Sequence, residues 1–113
     1  MAYRSDLTDL LRGYTALLSL EFSFDIDGGV CNLILALAES ELRGAKAIRA
    51  EFHGVADLSI KGFGGGLTQL LLLVVEDIGY RQLDRINYEV KERERESISF
   101  LCQRVTMGDI QNE

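Results

Sequence analysis

Apolar and polar residues alternate along much of this chain, most regularly over residues 18–27. Leu18, Leu20, Phe22, Phe24 and Ile26 interleave there with Ser19, Glu21, Ser23, Asp25 and Asp27. A period of two puts the apolar set on one side of an extended strand and the polar set on the other, so the pattern predicts a half-buried strand. Asp27, Gly28 and Gly29 supply a hairpin turn, because glycine accepts positive φ at little cost. Residues 30–38 return as the partner strand, with Cys31, Leu33, Leu35 and Leu37 on one face. The end of that strand is open to a second reading, since residues 36–42 also suit a helix.

The same period recurs downstream. Ile48, Ala50 and Phe52 alternate with polar or small neighbours, and Leu58 and Ile60 mark a further short strand. Ile86, Tyr88 and Val90, then Ile98, Phe100 and Cys102, predict a hairpin whose tip, residues 91–97 (KERERES), reads as solvated and mixed in charge. Residues 77–85 read as a turn or one helical turn, with Ile78 and Leu83 inward. Only the start of the chain shows helical spacing. Leu7, Leu10, Leu11 and Tyr14 share one face of a predicted helix over residues 5–14, with Ser5 or Asp6 as its cap. Residues 106–113 read as a polar tail.

One stretch departs from alternation. Residues 70–75 are six apolar side chains in a row, preceded by Gly64, Gly65 and Gly66 and followed by Glu76 and Asp77. Such a run fits a strand covered on both faces and predicts the central strand of the sheet. It is far short of the roughly 20 apolar residues that a membrane-spanning helix needs. Short connections favour antiparallel pairing, because parallel crossovers need a dozen or more residues. The expected fold is therefore mainly β (α+β): an antiparallel meander sheet of six or seven strands over residues 18–105, with one N-terminal helix packed on it. Residues 1–113 are expected to form a single domain.

Composition narrows the function classes. Hydrophobic residues make up 47% of the chain, enough for one core. The net charge of −6 disfavours nucleic acid, whose binding rests on Lys and Arg neutralising phosphates. The charge is uneven: acids dominate residues 1–42, and residues 43–63 are the locally basic stretch. The first twelve residues carry Asp6 and Asp9 and no apolar leader, which gives a cytoplasmic expectation. Cys31 and Cys102 are then expected to be reduced, packed thiols.

No motif for catalysis, metal or cofactor emerges. The glycines of residues 62–66 (GFGGG) lack the following Lys-Ser/Thr of a phosphate loop and lead into a strand, so they read as a turn or bulge. His53 is the sole histidine, and with two remote cysteines it offers no zinc-ligand spacing. Glu21, Asp25 and Asp27 form the candidate partner-binding set, an acidic strand face suited to a basic protein. The apolar residues exceed what one sheet face of this size hides, which predicts self-association, with a dimer favoured.

Several quoted runs carry a resemblance: F-x-G-V-x-D-L from Phe52, G-G-G-L-x-Q-L from Gly64, and I-x-Y-E-V with I-S-F-x-C from Ile86 and Ile98. These segments cover under half the chain. With them the sequence resembles small β-rich bacterial proteins, some of them similar to immunity proteins of polymorphic-toxin systems. The resemblance implies a protein that neutralises a toxin by binding it, with no catalytic residues to carry over. The expected function is a binding or inhibitory module and not an enzyme. The alternatives are a structural oligomer subunit, or a small enzyme using His53 with a nearby carboxylate.

Overall fold

In the computed structural model, which describes residues 5–110, the chain is mainly β and antiparallel with one short helix at its start. Among the described residues nine strands form two sheets. They are β1 (Ala16–Asp25), β2 (Val30–Ala38), β3 (Ala47–His53), β4 (Ala56–Ile60), β5 (Thr68–Gln69), β6 (Leu73–Asp77), β7 (Tyr88–Glu92), β8 (Ile98–Cys102) and β9 (Arg104–Ile110). The larger sheet has the order β5-β1-β2-β3-β9 and the smaller one β4-β8-β7-β6. The expected meander is thus divided between two layers.

The division is made at one corner. β3 continues into β4 through Gly54 and Val55, and β8 continues into β9 through Gln103. The two bent strands stay paired around the corner, where the Gln103 N–H donates to the His53 carbonyl at 2.8 Å. Gly54 has φ +69, and a Cβ on it would lie 3.0 Å from the Cβ of Gln103, so the bend takes glycine for both reasons. Strands that switch sheets at a bend are a general way to build such corners.

One core fills the space between the layers. Leu33, Leu35, Leu37, Ile48, Ala50 and Phe52 from the larger sheet meet Leu73, Val75, Val90, Ile98, Phe100 and Cys102 from the smaller. Phe52 and Phe100 join the two sheets edge to face, with ring centroids 4.9 Å apart. The predicted faces of β2, β3 and β8 are those the structure buries.

Residues 70–75 do not form a central strand. Leu70 is the last residue held by the larger sheet, its N–H bonded to the Thr15 carbonyl at 2.8 Å. The chain then crosses over, and Leu73 and Val75 enter β6, an edge strand of the smaller sheet. Leu71, in the crossing, is exposed. The run is apolar because it bridges the edges of two sheets around one core.

The helix α1 (Ser5–Arg12) is shorter than predicted and turned from its predicted face. Leu7, Leu11 and Tyr14 pack on the core, but Leu10 is exposed and Thr8 is buried at 3% exposure in its place. The reason lies in the surface it covers. α1 lies along β6, whose outer edge has no strand partner among the described residues. The Thr8 hydroxyl accepts the Val75 N–H at 3.0 Å and donates to the Val75 carbonyl at 3.4 Å. The side chains of Ser5 and Asp6, the expected cap, lie outside the described ones.

Three further expectations are corrected. Residues 106–110 of the expected tail belong instead to the edge strand β9, paired with β3 over its whole length; residues 111–113 lie outside the described residues. Ile78 is buried as expected, beside the 3-10 turn Gly79–Arg81, whereas Leu83 is exposed. The KERERES tip is exposed at residues 93–96 and partly so at Lys91, whereas Glu92 and Ser97 are buried. Glu92 lies on the inward face of β7, opposite Leu73. Its carboxylate accepts N–H donors from Arg95 at 2.8 Å, Glu94 at 2.9 Å, Leu72 at 3.3 Å and Ser97 at 3.4 Å, and the Ser97 hydroxyl at 3.3 Å.

Candidate interaction site on the first hairpin

The β1–β2 hairpin is the longest in the molecule, with strands of ten and nine residues, whereas β4, β6, β7 and β8 have five each. At about 3.3 Å per residue the hairpin extends well beyond what the facing sheet can cover. Exposure follows that geometry. On the inward face, Leu20 is half-buried, Phe22 is 47% exposed, Phe24 60%, and Ile26 in the turn 83%. Their cross-strand partners follow the same gradient, from Leu35 and Leu33, fully buried, to half-buried Cys31. The predicted inward set is therefore correct in its facing at Leu20, Phe22 and Phe24 and wrong in its burial over the outer half of β1; it also fails at Leu18, which the bulge leaves without a partner in β2 and exposed.

The register departs from ideal once, by a bulge between Leu17 and Ser19. Beyond it, Ser19, Glu21, Ser23 and Asp25 stand opposite Ala36, Ile34, Asn32 and Val30 and share the outward face. Asp27 does not belong to that strand face. It sits in the turn after β1, where its N–H donates to Asp25 Oδ1 at 3.1 Å. Glu21, Asp25 and Asp27 are all exposed, and among the described residues no Lys or Arg pairs with them. The chain carries no Lys or Arg between Arg12 and Arg43, so the hairpin is wholly acidic.

The edge of β1 is open as well. β5 pairs with it only at Ala16 and Leu17, which leaves residues 18–25 without a strand on that side among the described residues. No sequence pattern reports which edge of a strand is covered. The available signal was relative length, ten residues of alternation against strands of about five.

The other candidates are not brought together. His53 ends β3, and its Nε2 meets Thr106 Oγ1 at 3.5 Å rather than a carboxylate. Asp57 lies past the corner in β4, where φ is +56 and the pairing with β8 is irregular. Among the described residues no cluster of His, Cys, Asp and Glu could hold a metal ion, and no helix is long and apolar enough to cross a membrane. Gly62, Gly64 and Gly65 have positive φ in an open loop. With Lys61 and Arg95, that loop lines a shallow depression of about 370 Å³.

The two thiols are free and differ in setting. Cys102 is fully buried, and burial pushes its pKa up to about 12 against the opposing pull of the Arg104 N–H. Cys31 is half-buried under the outer hairpin. A thiol-specific reagent at about pH 8 should therefore label Cys31 alone in the native protein, because the thiolate is the reacting form. Mass spectrometry after labelling checks this, and Cys102 should react only on unfolding.

The molecule is a two-sheet antiparallel β structure whose distinctive exposed feature is a long acidic and apolar hairpin. The chain belongs to the immunity protein PIM8 family, whose model matches residues 13–107. The likeness thus extends over most of the chain, well beyond the segments quoted above. Comparison with curated proteins and with solved structures finds no match.

Proposed function

We propose that the chain is the inhibitory half of a toxin–immunity pair and that it binds a basic toxin through the acidic face and turn of the first hairpin. The family supports an immunity role, and such a role entails a protein partner, the toxin. The single observation that carries the choice of surface is the hairpin itself. Glu21 and Asp25 on one face and Asp27 at its turn stand exposed, and among the described residues no Lys or Arg forms an ion pair with them. A charged margin of this kind speeds encounter with an oppositely charged partner and suppresses wrong ones. The proposed role is occupation of the toxin and not turnover, and His53 takes no part in it.

The test begins with capture of the partner from the native host at low salt and its identification by mass spectrometry. Association of the two purified proteins is then followed by stopped flow. The triple variant Glu21→Gln, Asp25→Asn, Asp27→Asn should associate about tenfold more slowly at low ionic strength, with a flatter salt dependence. Its circular dichroism should match the parent, since the amide oxygen introduced by Asp25→Asn can still accept the residue-27 N–H. An unchanged rate and salt dependence would remove this face from the reading.

A further inference from the structure

We propose that the open edge of β1 is a self-pairing site, where a second copy of this chain adds its own β1 antiparallel to form one continuous sheet centred on Phe22. This inference concerns the edge and inward face of the hairpin and stands independently of the toxin's identity.

The backbone supplies the first argument. N–H and C=O groups of successive residues in an antiparallel strand point to alternate edges. The Cys31 carbonyl accepts the Val55 N–H at 2.8 Å, which fixes Cys31 toward the β3 side of β2. Asn32 and Ile34 therefore point toward β1, where they stand opposite Ser23 and Glu21. It follows that Leu20, Phe22 and Phe24 direct their N–H and C=O groups away from β2, onto the edge that β5 leaves open. The exposed Phe22 and Phe24 are thus residues whose backbone has no strand partner on that edge among the described residues. Natural proteins blunt open edges with proline, lysine or bulges. Residues 19–25 of β1 carry no proline or lysine and its bulge lies before Ser19; the charges they carry, Glu21 and Asp25, stand on the outward face.

The register supplies the second. With the twofold axis at Phe22, Phe22 faces its own copy, Leu20 faces Phe24, Glu21 faces Ser23, and Ser19 faces Asp25. Every apolar residue meets an apolar one, and no carboxylate stands directly opposite another. Cross-strand like charges destabilise, so the alternatives are disfavoured. An axis at Glu21 sets Glu21 against itself, one at Ser23 sets Glu21 against Asp25, and one at Phe24 sets Glu21 against Asp27 and runs into the turn. An axis at Leu20 runs into the segment that β5 already covers. Among these, the Phe22 axis alone uses the free edge with no two carboxylates directly opposed. Because the operation is a closed twofold, association stops at two copies. Both outward faces lie on the same side of the joined sheet, which brings two sets of Glu21 and Asp25 together.

Sedimentation velocity across a wide concentration range should show a species of twice the 12.6 kDa chain mass and nothing larger. Phe22→Lys sets two cations face to face at the axis and should yield monomer with unchanged circular dichroism. Ser23→Lys, opposite Glu21, should tighten the dimer about three- to tenfold, and Ser23→Glu should weaken it by a similar factor. In a Cys31→Ser background, Phe22→Cys should form an intermolecular disulfide on mild oxidation, because residues directly opposite in a hydrogen-bonded pair have Cα atoms about 5.5 Å apart. Ser23→Cys, facing Glu21, should not. A wild-type protein that stays monomeric throughout would overturn the proposal. So would a dimer indifferent to Phe22→Lys and to both charges at position 23.

Discussion

Replacing Glu92 by alanine is expected to destabilise the protein by about 3–4 kcal/mol. Glu92 is 1% exposed, and its carboxylate is the common acceptor for the turn after β7 and for the segment entering β6. Its removal leaves the N–H groups of Leu72, Glu94, Arg95 and Ser97 without that acceptor. Hydrogen bonds to a charged group contribute about 1.5–3 kcal/mol each but are not additive, so the total stays well below four such bonds. A domain of this kind is stable by only about 5–15 kcal/mol, and the loss is a large share of it. Glu92→Gln should cost less, because its amide oxygen can still accept while its NH₂ faces donors. Urea unfolding of the three proteins at neutral pH measures both.

Acid titration offers a second readout of the same site. Burial is the strongest single influence on Glu92 and acts to raise its pKa; the N–H groups of Arg95, Glu94, Ser97 and Leu72 together outweigh it and hold the pKa below the ordinary 4.5. A carboxyl whose folded pKa is depressed contributes its full stability above the unfolded value and loses it as the pH falls through the folded value. Wild-type stability should therefore fall more steeply than that of Glu92→Gln once the pH drops below the ordinary value. Parallel curves for the two proteins would show that the charge at Glu92 is not what the site stabilises.

Thr8→Val should cost about 2–4 kcal/mol, while Thr8→Ser should cost well under half of that. Valine keeps the shape and the apolar contact but removes the hydroxyl that serves both backbone groups of Val75. Each buried group left unsatisfied costs about 1–3 kcal/mol. Hydrogen exchange should locate the effect, with the Val75 amide losing protection first in the valine variant. Equal losses for valine and serine would instead assign Thr8 a packing role. The threonine also explains why a helix of eight residues, marginal by itself, is held at the start of this fold. It closes an edge that would otherwise be open to pairing.

These two residues, together with Phe22 and Phe24, mark the boundary of what local pattern reveals. Period-two alternation located β2, β3 and β8 and the facing of their side chains, because the pleat is a property of each strand taken alone. Gly29, with φ +69, ends the first hairpin within the predicted turn for the same local reason. The acidic margin was also legible, since Glu21 and Asp25 need only their own strand to share a face. Covering is different, because it depends on residues distant in sequence. Residues 70–75 looked central because they are apolar, yet they bridge two edges, since Leu70 pairs with Thr15 and Val75 with Thr8. Phe22 and Phe24 looked buried because they alternate, yet the facing strands are too short to reach them. Glu92 looked solvated because its neighbours are charged, yet the turn folds its own N–H groups onto it. The sequence by itself determined β1, β2, β3 and β8, the facing of most of their side chains and the first turn. The tertiary structure decided which edges and faces are left open, because exposure is set by the lengths and ends of elements that meet only in the folded chain.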